Sequence, residues 1–307
     1  MSFKPYIFII PITTLCLFFQ TCEKKDKSLD LSTSDITILY TNDEHGWIEE
    51  NSETDGAAKL MGIWREDEGY VENSSFLILS GGDSWTGQAI STWFMGESTV
   101  EVMNAMNYDA SAIGNHEFDF TVSGLRERIE QADFPFLSAN IRLKSNDSIP
   151  DFAQPYTLLE INDILVGIVG LTTRSTSYTT FPTYVEDYEF ISYQTALEEW
   201  VPQIWAEGAE IILCIAHICG YEMHGLVPLA ETLGITMISG GHCNELISET
   251  VEGGSIALIE GGWRMATYAR LDIWYNGDDS EVTDLVAQTH SNSGGSADPE
   301  VENVVAI

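Results

Sequence analysis

The chain predicts an α/β fold, and three observations carry that expectation. Short apolar runs alternate with stretches of helical spacing along most of the 307 residues. Hydrophobic residues make up 44%, with 8 Trp, 12 Tyr and 13 Phe, enough to bury a sizeable core and to exclude a disordered chain. Five polar clusters, most flanked by glycine, each follow an apolar run, where loops gather at the carboxyl ends of strands.

The elements follow in order. Residues 36–40 read as a strand, and 57–68 have helical spacing. Strand 76–79 precedes helix 97–107, in which Val100, Met103 and Met106 share one face. Strand 110–113, helix 121–132 and strand 136–139 come next. Runs 156–161 and 164–170 flank Asn162-Asp163, a hairpin turn. A helix over 193–207 contains Pro202, which marks a kink or an internal start. Strands then fall at 211–216, 237–239, 256–260 and 266–275. His224 reads as a loop residue. Residues 291–300 read as a linker that His290 precedes as an inert residue, and 301–307 restart an apolar pattern.

Forty-eight acidic and 13 basic side chains give a net charge of −35. Such a chain lacks the basic footprint that grips a nucleic-acid polymer or an anionic membrane surface. Residues 6–19 form an uncharged apolar run, too short to span a bilayer comfortably and suited to a signal-peptide core. Cys22 follows directly, in the manner of a lipoprotein signal whose cysteine is lipidated, so contact with a membrane is expected only through that anchor. The domain reading is a signal peptide over 1–22, a polar tether over 23–34, a catalytic domain over 35–290, and a linker with the start of a further region over 291–307. An exported, periplasmic or cell-surface location follows. Setting aside Cys16 and Cys22, three cysteines remain: Cys214, Cys219 and Cys243. Export permits one disulfide among them, and Cys214, inside an apolar run, reads as a buried thiol.

The clusters place Asp43, His45, Asp83, Asn115, His116, His217, His242 and Asn244 just after strands. Four of the six histidines lie there. These side chains supply nitrogen and oxygen ligands for divalent transition metals. Singly, each has a plain alternative: Asp83 a turn, Asn115-His116 a cap, His217 a satisfied core histidine, Asp119 a helix N-cap. Together, in order, they point to a functional site.

The ordered set TNDEHG (41–46), GGDSWTG (81–87), GNHEFD (114–119), the His217 segment and GGHCN (240–244) resembles the calcineurin-like metallophosphoesterases. It is closer still to the UDP-sugar hydrolase/5′-nucleotidase family, over about residues 35–276. The resemblance implies a four-layer αββα sandwich, two mixed sheets face to face with helices outside. It implies two divalent metal ions (manganese, zinc, cobalt or iron). Asp43 and His45 would bind one ion, Asp83 would bridge, and Asn115, His217 and His242 would bind the second. Asn244 stands where the family usually has a histidine on the first ion, which tilts that site toward harder, oxygen-accepting metals. His116 would act on the developing charge or the leaving oxygen, with Asp119 orienting it. Cys243 is not a ligand in that register.

The expected reaction is hydrolysis of a nucleotide or related phosphate ester, by hydroxide generated on the metal pair. Alternatives are a metal-weakened binding protein, or another hydrolase of the superfamily, such as a cyclic-nucleotide phosphodiesterase or a sulfur hydrolase of thiosulfate metabolism. The family's C-terminal nucleotide-binding domain is expected beyond residue 307. Without it, activity would be broad and base selectivity poor.

Overall fold

The computed structural model describes residues 34–306. The signal core, Cys22 and the tether through residue 33 lie outside the described residues. No helix among the described residues is long and apolar enough to cross a membrane.

Two six-stranded mixed sheets form the centre. In the first, β1 (Ile36–Thr41), β2 (Phe76–Ser80), β3 (Ala110–Ala112) and β4 (Phe136–Leu137) run parallel. A two-stranded sheet pairs β5 (Ile141–Leu143) with β8 (Tyr188–Phe190). The second large sheet contains the hairpin β6 (Tyr156–Ile161) and β7 (Ile164–Leu171), then β9 (Ile211–Ala216), β10 (Met237–Ser239), β11 (Leu246–Val251) and β12 (Ile256–Gly261). There β7, β9, β10 and β12 are parallel. The chain then returns to the first sheet as β13 (Thr267–Asn276), antiparallel along β1, and β14 (Glu281–Ser291), antiparallel along β13 at the edge.

Strand alternation builds three cores. Ile36, Ile38 and Tyr40 of β1 point between the two sheets with Ile211, Leu213 and Ile215 of β9. Leu39 points the other way, to α1 (Gly56–Glu66), α3 (Glu97–Ala105) and α4 (Thr121–Gln131). Ile212, Cys214 and Ala216 face α6 (Tyr193–Ala206) and α7 (Gly220–Leu233). A period of two therefore buries both faces of each central strand, and four layers result. The short α2 (Ala89–Trp93) and α5 (Thr176–Thr179) lie in loops, and α8 is Pro299–Val305. Trp64, Met103 and Met106 are fully buried, as core residues.

Several sequence expectations are corrected. His224 lies on α7, exposed, 3.5 Å from Glu249. The helix was hidden by Gly220, Gly225 and Pro228, which tertiary packing overrides. Strands β11 and β14 escaped because most of their residues are partly exposed and polar. His290 belongs to β14 and stacks on Tyr268. The stretch 291–300 is not a free linker. Buried Asn292 donates to the carbonyls of Gly56 and Met265, and Asp298-Pro299 starts α8, with the Asp298 carboxylate accepting from the amides of Glu300 and Val301. Pro202 sits inside an uninterrupted α6.

Candidate metal centre

The parallel strands of both sheets deliver their carboxyl ends to one place. The loop after β1 is laced to the loop after β2: Asp43 N–H donates to the Gly82 carbonyl, and His45 N–H to that of Asp83. Asp43, His45, Asp83, His242 and Asn244 all have left-handed backbone, with φ of 52°, 47°, 57°, 70° and 56°. Asp, Asn and His tolerate that region better than most residues, and its concentration here marks a functional site. Gly114 is required where it stands, because a Cβ there would lie 2.2 Å from Asp83 Oδ1.

Asp83 is the hub. Its Oδ1 accepts from the His116 amide at 2.8 Å, and its Oδ2 lies 2.9 Å from His217 Nε2. Side-chain ligand atoms of His45, Asp83 and His116 lie within 4.8 Å of one another, as do those of Asp83, His217 and His242. Asp43 closes the group. Its Oδ1 is 3.8 Å from His45 Nε2, and its Oδ2 accepts from the His242 amide at 2.9 Å. Six predicted residues thus converge; Asn115 adjoins His116 in sequence, its amide nitrogen is 3.4 Å from the Thr179 carbonyl and its Oδ1 is buried. Asn244 stands apart: it is exposed, and among the described residues no hydrogen bond ties it to the others.

Backbone contacts orient the imidazoles. His45 Nδ1 meets the Thr86 carbonyl and His217 Nδ1 the Gly81 carbonyl, each at 2.9 Å. Those acceptors place a donor at each Nδ1 and turn each Nε2 toward the cluster, the orientation that metal-binding histidines need. His217 Nε2 and Asn115 Oδ1 are buried without a hydrogen-bond partner, although His217 Nε2 is within ion-pair distance of Asp83. His217 Nε2 facing the Asp83 carboxylate, and Asn115 Oδ1 as a buried acceptor without a donor, form a set that fits a cation.

The charges follow from burial and neighbours. Burial raises the Asp43 carboxyl, and Asp83 adds to that. Burial also opposes ionisation of Asp83, yet His217 outweighs it and holds Asp83 well below the usual carboxylate range. Burial opposes protonation of His217 too, but Asp83 raises it to about 10. His242 is lowered to about 4 by burial and by His217.

His116 stands beside the ligands without belonging to their backbone scheme. Its Nδ1 is 2.6 Å from Asp119 Oδ2, and Asp119 Oδ1 accepts from the Thr180 hydroxyl at 2.8 Å. Asp119 is therefore committed to His116 rather than capping α4, whose N-cap is Phe120. Burial works against protonation of His116, but Asp119 raises it to about 9.

Sequence reasoning missed Glu117. Fully buried, it accepts from the amides of Asp83, Ser84 and Gly114 at 2.9, 2.8 and 2.6 Å, joining the loops after β2 and β3. The available signal was the acid inside GNHEFD, adjacent to His116. The structure also settles the disulfide as Cys219–Cys243, leaving Cys214 a buried thiol that burial pushes up to about 12. That bridge pins the start of α7 to the His242 loop.

The architecture and this centre define a class. The fold is that of a calcineurin-like phosphoesterase from Bacillus subtilis, YfkN (TM-score 0.77, 22% identity, 89% of this chain and 96% of that one). It also matches a 5′-nucleotidase precursor from Thermus thermophilus (TM-score 0.74, 20% identity, 88% and 57%). No protein-family model matches the chain. Over 237 residues it is 37% identical to UshA of Yersinia enterocolitica, covering 72% of this chain and 42% of that protein. Over 225 residues it is 33% identical to human 5′-nucleotidase, covering 69% and 38%. The chain belongs to the UDP-sugar hydrolase/5′-nucleotidase family of calcineurin-like metallophosphoesterases, matching its catalytic domain. It spans less than half the length of these curated relatives.

Proposed function

We propose that this chain is the catalytic domain of a metal-dependent hydrolase of nucleotides and related phosphate esters. The observation that carries the reading is the cluster of Asp43, Asp83, His217 and His242, with Asn115 Oδ1 a buried acceptor that lacks a donor. An unpaired buried acceptor costs roughly 1–3 kcal/mol, so a cation is the partner this arrangement lacks. Asp43 and His45 would hold one ion, and Asn115, His217 and His242 a second, with Asp83 shared. Divalent ions in such a pair supply water activation at neutral pH and charge neutralisation for a phosphoryl group. In a chain of charge −35, they also give an anionic substrate one favourable place to sit.

The protein's own part is positioning and proton control. Asp119, held by Thr180, fixes the His116 ring and keeps it protonated. His116 then donates to the phosphoryl or leaving oxygen. The test is hydrolysis of nucleoside monophosphates and p-nitrophenyl phosphate with manganese, cobalt or zinc. Activity that survives both EDTA and Asp83→Asn sinks the reading.

Asn244 supports a second reading, a binding protein with a weakened first site, because its side chain is exposed and unattached to the cluster. Metal analysis separates the two: two ions per chain for the enzyme, one or none for the binding protein. The apolar run over 6–19, Cys22 and the Cys219–Cys243 bridge support export with lipid attachment. Labelling with radioactive palmitate should be lost in Cys22→Ala; undiminished labelling excludes that anchor.

A further inference from the structure

Among the described Lys and Arg side chains, all but two form ion pairs with carboxylates, as expected in so acidic a protein. One exception, Lys144, donates to the Glu186 carbonyl at 2.8 Å. The other is Arg174, whose exposed guanidinium has neither an ion pair nor a hydrogen bond among the described residues. A lone guanidinium among so many carboxylates needs a reason, because pairing is easily reached.

Its position gives one. Arg174 lies in the loop after β7, and its amide donates to the Tyr193 hydroxyl at 3.1 Å, which fixes the backbone. The next residue, Ser175, places its hydroxyl 3.3 Å from His242 Nε2. Arg174, Ser175, Tyr178, Tyr221 and His242 line one cleft of about 570 Å³, which meets the candidate metal centre at His242. Glu222, the carboxylate in that cleft, is already occupied by the Tyr193 hydroxyl and the Cys219 amide, at 3.1 and 3.2 Å. Arg174, itself a lining residue, thus has no carboxylate partner in that cleft.

We infer that Arg174 is a specificity-determining residue that binds a second anionic group of the substrate, such as the non-reacting phosphate of a nucleoside diphosphate. The inference rests on the phosphoesterase reading above and adds to it the residue that reads a second anionic group. A guanidinium fork suits a phosphate better than an ammonium does, because two parallel N–H groups meet two oxygens. A charge-assisted contact of this kind changes affinity about 10–100-fold.

The test measures binding, so that it stands apart from turnover. Manganese-loaded protein is titrated calorimetrically with a nucleoside 5′-methylenediphosphonate and with the 5′-phosphonate of the same nucleoside, neither of which is hydrolysed. Wild type should bind the first at least about 10-fold more tightly. Arg174→Ala should reduce that ratio to within about threefold and leave the phosphonate affinity unchanged, with Arg174→Lys between them. Equal affinities in wild type, no binding at all, or an equal loss on both analogues in Arg174→Ala overturns the assignment. A separate assay of p-nitrophenyl phosphate, which has no second anionic group, reports on the phosphoesterase reading. Arg174→Ala should match wild type there, and an inactive wild type would fault that reading rather than the role of Arg174.

Discussion

Glu117 holds the amide of Asp83 at 2.9 Å, so the position of the central metal-site carboxylate depends on a buried acid from the neighbouring loop. The same carboxylate receives the amides of Ser84 and Gly114. Glu117→Ala strands three buried N–H groups and opens a cavity, and stability should fall by about 3–5 kcal/mol. Glu117→Gln keeps the volume and one oxygen for the Asp83 and Gly114 amides but turns its NH2 toward the Ser84 amide, so it should restore only part of that loss. Urea denaturation at neutral pH measures both, and a loss under about 1 kcal/mol for the alanine variant would refute the clamp.

The His116–Asp119 pair makes a prediction that metal content can check. His116→Ala should lower kcat about 10²–10⁴-fold while the bound metal stays at the wild-type level. Asp119→Asn should cost less, because the ring remains and only its orientation and charge are weakened. If His116→Ala instead empties the site of metal, His116 is a ligand and its assigned role is wrong.

How much of this was legible beforehand depended on sequence distance. The clusters after β1, β2, β3, β9 and β10 could be read because each is local: an apolar run, then glycine and ligand-type residues within a few positions. The Asp119 carboxylate was legible for the same reason, three residues from His116. Glu117 is equally close in sequence, but its partners Asp83 and Ser84 lie more than thirty residues away, across two strands. The Cys219–Cys243 bridge, the cleft beside Arg174 and the return of β13 to β1 likewise need the assembled sheets. Helix α7 was lost for a different reason, because its glycines and Pro228 speak against a helix locally while Met223, Leu226, Val227 and Ala230 bury a face against the second sheet.

The bridge should matter for both stability and the site. It closes a loop with a sequence separation of 24, which corresponds to about 3.5 kcal/mol of stabilisation. Replacing Cys219 and Cys243 together by serine should lower the unfolding free energy by roughly that amount. Because Cys243 adjoins His242, metal affinity should weaken as well. Unchanged metal affinity in a folded double variant would show that the His242 loop is held by its other contacts alone.

Asn244→His tests the departure at the first site. Histidine tolerates the positive φ of 56° found there and reaches farther than asparagine. It should tighten the weaker metal by about 10-fold or more and move preference toward zinc. A metal titration showing no change would place residue 244 outside the site.

Asp109 offers a pH prediction far from the metal centre. Its Oδ2 accepts from the Ile78 amide at 2.7 Å, and burial pushes the carboxyl from its usual value up to about 6. The folded state therefore keeps the proton longer than the unfolded chain, whose Asp ionises near 3.9. The sign follows from linkage. The contribution of this group is fully present below about pH 4 and is lost as pH rises through about 6, because ionisation in place is penalised. Asn keeps an oxygen for the Ile78 amide and cannot ionise. Asp109→Asn should thus be more stable than wild type at pH 7, by about 1–2 kcal/mol once partial exposure is allowed for, and equal to it near pH 4. Urea titrations at both pH values decide. A difference that stays constant between pH 4 and 7 would mean that the hydrogen bond, and not the buried charge, governs this position.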